Sequence, residues 1–262
     1  MTRAAPSVRE VLAEFLGTFL LQGIGGLCIA NAVLSNKPAN DLGMCIGFSL
    51  AISFSVALTY DISGGFINPA VSLVFFSFGD LSLLKLISYV VAQCLAAVCA
   101  SLLVLVVYYD AIMAVDGSSH HFTFGNASTA HLFASFPADY LTLTGGLVDQ
   151  TIGCALFIFL IVFIGDTRHG IPRLVRPLLF GLAFAAVTAG IGINAGYPLN
   201  PADLCSRLFI YTFVGYGPHV FEPLNGAWIW VPVVAPLIGA LLGGWLYKFT
   251  IGCLLNDADR QL

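Results

Sequence analysis

The chain has 262 residues, of which 58% are hydrophobic and only 9% are charged, and its formal net charge is −4. Because a soluble domain carries about 25% charged residues, most of this surface must face lipid rather than water. The sparse, slightly acidic charge argues against a nucleic-acid-binding protein, and the seven cysteines show no Cys-x-x-Cys spacing that would indicate a zinc site or a disulfide framework.

Six apolar runs are long enough to cross a bilayer, which takes about 20 helical residues. Two further runs are too short to cross, and we expect them to form half-helices that enter the membrane and stop. The predicted transmembrane helices cover 11–33, 42–61, 84–109, 145–165, 175–194 and 228–250, and the half-helices cover 69–78 and 201–214. The predicted fold class is therefore an all-α membrane protein.

The distribution of lysine and arginine predicts the orientation of these helices. Of the ten lysines and arginines, eight fall on the side of the N-terminus and two on the other side. The positive-inside rule then places both termini, residues 1–8 and 253–262, in the cytoplasm of a multi-pass protein. The long loop 110–144 lies outside, where Asn126 begins an Asn-Ala-Ser triplet that can accept a glycan.

An internal repeat divides the chain into two halves. The triplets Asn68-Pro69-Ala70 and Asn200-Pro201-Ala202 begin 132 residues apart (200 − 68), and each opens a half-helix. The first repeat covers about 8–115 and the second about 145–252, within one channel domain that includes all of 1–262. Each repeat holds three transmembrane helices, an odd number, so the second enters the membrane inverted.

Two polar residues occupy matching positions in the first helix of each repeat. Glu14 and Gln150 are 136 residues apart (150 − 14), close to the spacing of the triplets. A carboxylate inside a membrane helix is costly and is usually functional or paired. We expect Glu14 to hold the backbone N–H groups of the first re-entrant loop, and Gln150 to serve the second, in preference to a role in moving substrate or protons.

The paired triplets have a chemistry of their own. Asn is favoured as a helix N-cap and Pro as the first helical residue, so the side-chain oxygens of Asn68 and Asn200 should accept N–H groups of their own half-helices. Their amide NH2 groups would then point into the space between the half-helices. The positive ends of two helix dipoles would meet there and repel cations. No catalytic centre, cofactor or metal site is expected.

The sequence around these triplets resembles the aquaporin, or major intrinsic protein, family, and in particular its aquaglyceroporin branch. The resemblance covers about residues 8–252 and includes Ser63-Gly64-Gly65, Tyr197-Pro198-Leu199 before the second triplet, and Pro236-Leu237-Ile238-Gly239-Ala240. It implies an aquaporin-like fold and a homotetramer in the cell membrane, with one pore in each subunit. Such pores pass water, glycerol and small neutral solutes.

The resemblance also implies an outer selectivity filter at named positions. Phe48 and Tyr197 match the two aromatic positions of the family filter, and Asp203 falls where relatives place an arginine. The loss of that arginine implies a wider and less selective filter. Arg207, one helical turn farther on, is a candidate for the pore mouth and can pair with Asp203. Phe66 replaces a histidine common in relatives and makes the inner pore lining less polar.

The sequence therefore predicts a passive channel for glycerol, water and other small neutral solutes. An inverted-repeat secondary transporter of small solutes or weak acids is the alternative, since such transporters also use broken helices. Coupled transport needs intramembrane acids along the path, and Glu14, Asp149 and Asp203 form no evident relay. A non-conducting structural or adhesion protein is a further alternative that solute flux would distinguish.

Overall fold

The computed structural model describes residues 5–35, 41–116 and 128–255, and these ranges contain helices and loops but no β-strand. Asn126, the predicted glycan acceptor, lies outside them. The helices are α1 (Val8–Leu34), α2 (Asp41–Thr59), α3 (Pro69–Ser77), α4 (Leu83–Asp116), α5 (Leu143–Gly165), α6 (Arg176–Ala195), α7 (Asp203–Phe209), α8 (Val231–Phe249) and α9 (Ile251–Leu254).

Six of the described helices are long and apolar enough to cross a membrane, which confirms the predicted all-α membrane fold. The largest difference from the predicted spans is at α4, which continues to Asp116 instead of ending near residue 109. The sequence has no Gly or Pro between Leu83 and Asp116 to stop the helix, and Ile112 in its last turns is fully buried. Tertiary packing therefore extends α4 beyond its most apolar stretch.

The start of α1 is fixed by local hydrogen bonds and by one ion pair. The Ser7 hydroxyl accepts the N–H of Glu10 at 3.3 Å, and the Glu10 carboxylate accepts the N–H of Ser7 at 2.8 Å, a capping box. The same carboxylate contacts Lys85 Nζ at 2.5 Å. Because Lys85 lies in the first turn of α4, this pair joins the beginnings of the first and third transmembrane helices.

The packing of the helices repeats between the two halves. Helix α1 packs on α2 and α4, and α5 packs on α6 and α8 in the same way. Each half-helix also packs on the last long helix of the opposite half, α3 on α8 and α7 on α4. In the second half, a Cβ at Gly239 or Gly243 would overlap the carbonyl oxygens of Thr151 and Ala155, so α8 and α5 can approach closely only with glycine there.

The two half-helices differ in how their chains are wound. Helix α3 is regular from its first turn, where the N–H of Ser72 donates to the carbonyl of Asn68 at 2.9 Å. In the first turn of α7, the N–H groups of Asp203 and Cys205 donate three residues back, to the carbonyls of Asn200 at 3.0 Å and Ala202 at 2.9 Å. Helix α7 is then followed by a π-helical turn, Ile210–Val214. The second half-helix thus starts overwound and ends underwound.

Candidate functional site

Both Asn-Pro-Ala triplets form the same local cap. Asn68 Oδ1 accepts the N–H of Ala70 at 2.8 Å, and Asn200 Oδ1 accepts the N–H of Ala202 at 3.0 Å. In each triplet the proline, which has no N–H to satisfy, follows the capping asparagine. Each asparagine oxygen is thereby committed to its own half-helix, and its amide NH2 group is left to face the other half of the molecule.

The two triplets hold each other through these amide groups. Asn68 Nδ2 donates to the carbonyl of Leu199 at 3.0 Å, and Asn200 Nδ2 donates to the carbonyl of Ile67 at 3.4 Å. The two half-helices therefore meet with their N-terminal ends together. Each amide uses one N–H in this crossed contact, which leaves its second N–H for the cavity that both asparagines line.

This cavity has a volume of about 1520 Å³ and follows the whole length of α2. Leu42 lines it where α2 begins, and Tyr60 lines it just after α2 ends. A helix of that length spans roughly 28 Å at 1.5 Å per residue, about the thickness of a bilayer core. The lining is mostly apolar, and the two asparagines introduce polar groups between its two ends.

The first re-entrant loop is held by a fully buried carboxylate. Glu14 accepts the N–H groups of Phe66 at 3.0 Å and Ile67 at 2.7 Å, and the Ser63 hydroxyl at 2.5 Å. Gln93 Nε2 donates a fourth hydrogen bond to it at 2.8 Å. Ile67 has a φ of 45°, an unfavourable value for a β-branched residue, and the bond to Glu14 secures this conformation.

Gln150, the matching residue of the second half, makes different contacts. Its Nε2 donates to Asp149 Oδ2 at 2.6 Å, and its Oε1 has no hydrogen-bond partner among the described residues. Asp149 also accepts a hydrogen bond from Asn194 Nδ2 at 2.7 Å. In the part of the chain that the structure describes, no hydrogen bond joins Gln150 to the loop before Asn200.

Aromatic side chains form one wall of the cavity between the asparagines and the end remote from the chain termini; we call that end the outer end and the opposite one the inner end. The rings of Phe48 and Phe184 are 6.0 Å apart, and those of Phe184 and Tyr197 are 6.1 Å apart. Cys45 Sγ donates to the Tyr197 hydroxyl at 3.2 Å. Phe48 and Tyr197 are the aromatic residues expected from the sequence, and the structure brings them together through Phe184.

Nothing in the sequence motifs singles out Phe184, or Thr188, which also lines the cavity. A weak signal exists in the spacing, since Phe180, Phe184, Thr188 and Gly192 recur every four residues on α6 and all line the cavity. That spacing places them on one face of the helix. The same pattern also fits ordinary core packing, so the sequence alone does not assign these residues to a pore.

Asp203 lines the cavity and holds the outer loop. Its Oδ1 accepts the N–H of Ser135 at 3.0 Å, and its Oδ2 lies 3.7 Å from Arg207 Nη2, so the i,i+4 ion pair is present. Ser135 belongs to a segment, residues 132–136, that lines the outer part of the cavity. The Asp203 side chain thus fixes the loop over the outer end.

Arg207 is buried behind Asp203 instead of standing at the pore mouth. It is 1% exposed and is not among the residues that line the cavity. Its Nη1 donates to the carbonyl of Val220 at 2.6 Å, and its Nη2 donates to the carbonyl of Ser135. The guanidinium also lies 4.5 Å from the ring centroid of Phe136. These contacts draw it away from the cavity, because the carbonyls lie in loops packed over α7.

At the inner end, Phe66 lines the cavity and packs on Phe75 and Tyr89, with ring centroids 5.3 Å and 5.8 Å away. Arg176 lies at the same end and donates to the Tyr60 hydroxyl at 3.3 Å and the carbonyl of Gly165 at 3.1 Å. The inner end therefore combines an aromatic cluster with a cation whose hydrogen bonds are directed to neighbouring groups.

The loop between α5 and α6 is fixed beside this inner end by a second arginine. The Arg168 side chain holds the pKa of the Asp166 carboxyl well below its usual range by hydrogen bonding, against the effect of burial. Tyr247 of α8 also donates to Asp166, at 2.9 Å, and Arg168 Nη1 donates to the carbonyl of Gly252 at 2.8 Å. This network ties the loop to the last helices of the chain.

Comparison with known proteins gives one consistent result. The Major intrinsic protein family model matches residues 1–247. Human Aquaporin-9 is 39% identical over 246 residues, which is 93% of this chain and 82% of that protein. Human Aquaporin-10 is 40% identical over 246 residues, covering 93% and 81%. The X-ray structure of the aquaglyceroporin from Plasmodium falciparum matches with a TM-score of 0.84 and 27% identity, over 95% of this chain and 98% of that one.

Proposed function

Because the chain belongs to the major intrinsic protein family, a family of channels and not of enzymes, we propose that it passes glycerol, water and other small neutral solutes through this cavity. The observation that carries the proposal is the crossed contact of Asn68 and Asn200 inside a cavity that follows the whole of α2. This contact leaves one amide N–H of each asparagine free to donate a hydrogen bond to the hydroxyl group of a passing solute.

The same geometry favours neutral solutes over cations. The N-terminal ends of α3 and α7 meet at the asparagines, and each carries about half a positive charge. A barrier of this kind is general for aquaporin-type pores. A passing cation would lose its water against an apolar lining and gain only repulsion at the asparagines. A polyol would lose less hydration free energy than a cation, and it would regain hydrogen bonds at the asparagines.

The outer constriction is the part in which this channel departs from its family pattern. Phe48, Tyr197 and Asp203 line this part of the cavity, and the resemblance places Asp203 at the position of an arginine in relatives. The positive charge of Arg207 compensates Asp203 from behind, so the constriction carries no fixed net charge. Without an arginine in the passage, we infer a filter that admits larger polyols and urea in addition to glycerol.

The remaining assignments rest on the sequence and on the exposed faces of the helices. We propose a homotetramer in the cell membrane with both termini in the cytoplasm, as the distribution of lysine and arginine favours. Large apolar side chains are exposed along the transmembrane helices, including Phe54 at 66% and Leu95 at 57%. Lipid and neighbouring subunits are the two environments that suit such faces.

Swelling of proteoliposomes in a glycerol gradient tests the proposal. The protein should accelerate glycerol entry over protein-free vesicles, with a rate that rises linearly with concentration and ignores an imposed proton gradient. The variant Thr188→Trp should abolish the flux by filling the cavity, which Thr188 lines. Saturable uptake that follows a proton gradient would instead support the transporter, and no flux at all would support a non-conducting protein.

A further inference from the structure

Two glycines in transmembrane helices make room for the aromatic rings of the outer constriction. Gly25 lies in α1 and Gly192 in α6, and neither has the left-handed φ that would require glycine for the backbone. Glycine is also a poor helix former. What the two positions share is a close neighbour, because a Cβ at either one would overlap an aromatic ring that lines the cavity. The rings of the constriction therefore occupy the space that these glycines leave open.

The ring of Phe48 is seated against Gly25. An added Cβ at Gly25 would lie 2.3 Å from both Cε1 and Cζ of Phe48, at the far edge of the ring. Non-bonded carbon atoms pack at about 3.5 Å or more, so the ring would retreat by roughly 1.2 Å (3.5 − 2.3). Phe48 belongs to α2, which packs on α1 and α6, and the ring of Phe184 on α6 is 6.0 Å away. A ring displaced from α1 therefore moves toward Phe184, into the cavity that both residues line.

The ring of Tyr197 is seated against Gly192 in the same way, but less closely. An added Cβ at Gly192 would lie 2.8 Å from Cε1 of Tyr197, so the ring would retreat by roughly 0.7 Å (3.5 − 2.8). The Tyr197 hydroxyl accepts a hydrogen bond from Cys45 Sγ of α2 at 3.2 Å, which holds the other end of the ring. A ring displaced from α6 therefore enters the cavity that Gly192 and Tyr197 both line.

Resting on the proposed channel function, we propose that Gly25 and Gly192 set the width of the outer constriction and thereby its solute specificity. Each glycine recesses one aromatic ring against its own helix, Phe48 against α1 and Tyr197 against α6. The passage between the rings is then wide enough for branched diols and polyols as well as for linear ones. Both glycines are positioning residues, because they act through the rings that a solute contacts. A methyl group at either position narrows the passage and leaves both aromatic residues in place in the sequence.

The test compares two isomers that each carry two hydroxyl groups, linear butane-1,4-diol and branched 2-methylpropane-1,3-diol. Their entry into proteoliposomes is followed by light scattering, after subtraction of the rate in protein-free vesicles. We expect Gly25→Ala to lower the channel-dependent permeability of the branched isomer about tenfold relative to the linear one, and Gly192→Ala to lower it less. Gly23→Ala on α1 and Gly190→Ala on α6 are the matched controls, since an added Cβ would meet only Leu103 at Gly23 and nothing within 4 Å at Gly190.

The isomer ratio separates a displaced ring from a general loss of folded protein, which lowers both rates equally. Combining Gly25→Ala with Phe48→Leu should restore the ratio, because leucine lacks the Cε1 and Cζ atoms that the added methyl group would meet. If glycerol still passes and the ratio is equal in Gly25→Ala and Gly23→Ala, the role of Gly25 is overturned and the channel stands. Should Gly25→Ala fail to assemble, Gly192→Ala measured against Gly190→Ala decides in the same way. If wild-type protein passes no glycerol, the channel itself is overturned.

Discussion

The two re-entrant loops carry the same triplet and are held in opposite ways. The loop before Asn68 is fixed from within by Glu14, which accepts two backbone N–H groups and two side-chain donors. Among the described residues no carboxylate accepts the backbone N–H groups of the loop before Asn200, and Gln150 turns to Asp149. Its half-helix is instead fixed from outside, where Asp203 and Arg207 bind both sides of Ser135. The first re-entrant loop is held by a buried hydrogen-bond network, and the second half-helix is held by its contacts with the outer loop.

The two loops and their half-helices also differ in backbone geometry. The first loop places Ile67 at a φ of 45° and then forms a regular half-helix. The second half-helix begins with hydrogen bonds to the third residue back and ends in a π-helical turn. The first loop is therefore held rigidly by Glu14. The second loop should tolerate sequence changes as long as Asp203 and Arg207 remain bound to Ser135 of the outer loop.

The largest effect should follow removal of the carboxylate that fixes the first loop. Glu14→Leu leaves two loop N–H groups and the Gln93 amide without their acceptor in the core, and we expect a loss of about 3 kcal/mol or more of stability. Thermal unfolding in detergent and glycerol flux measure it. An unfolding temperature within two degrees of wild type would show that Glu14 does not stabilise the first loop.

The second largest effect should come from the outer clamp. Arg207→Leu removes the donors to Val220 and Ser135 and leaves Asp203 as an uncompensated buried charge, which should cost about 2–3 kcal/mol and lower glycerol flux. Arg207→Lys is the matched control, since it keeps the charge without the fork of two donors. Full stability of Arg207→Leu would show that the outer loop does not fix α7.

A smaller effect is expected at a glycine that leads into the second triplet. Gly196 has a φ of 67° with no neighbour within 4 Å of an added Cβ, and Gly170, in the loop after α5, has a φ of 68° and equally open space. Alanine should cost about 1 kcal/mol at Gly170, whose ψ of 10° is left-handed helical, and about 2 kcal/mol at Gly196, whose ψ of −140° suits almost only glycine. Only Gly196→Ala should change glycerol permeability, because Tyr197 follows it. Equal glycerol permeability in Gly196→Ala and Gly170→Ala would show that the backbone of the second loop does not control glycerol flux.

The smallest effect should come from the residue that matches Glu14. Gln150→Leu removes a buried amide whose Oε1 has no partner in the described structure, so we expect a stability change within about 1 kcal/mol of wild type. The experiment is the same thermal unfolding series as for Glu14→Leu, run side by side. A loss comparable to that of Glu14→Leu would mean that the two loops are held alike, and the contrast between the halves would be lost.

Much of the site was predictable because local chemistry fixes it. Asn and Pro in sequence favour a helix cap: Asn68 caps α3, and Asn200 accepts the N–H of Ala202 in the turn that leads into α7. The spacing also indicated that Glu14 serves the first loop, where it accepts two backbone N–H groups. Matching position alone placed Gln150 in the same role. Its amide instead bonds the adjacent Asp149, and the choice between these partners depends on packing that sequence spacing does not encode.

The all-helical membrane class, the family and the paired asparagines could be predicted from the sequence, because hydrophobic length and capping chemistry act over a few residues. The surroundings of the asparagines could not, because they come from tertiary packing. It brought Phe184 between Phe48 and Tyr197, and it buried Arg207 behind Asp203. These outcomes depend on contacts between distant segments, above all between α7 and the outer loop. The Asp203 and Arg207 residues are visible in the sequence, but the direction of the Arg207 side chain follows from the carbonyls of Val220 and Ser135, which lie in loops packed over α7.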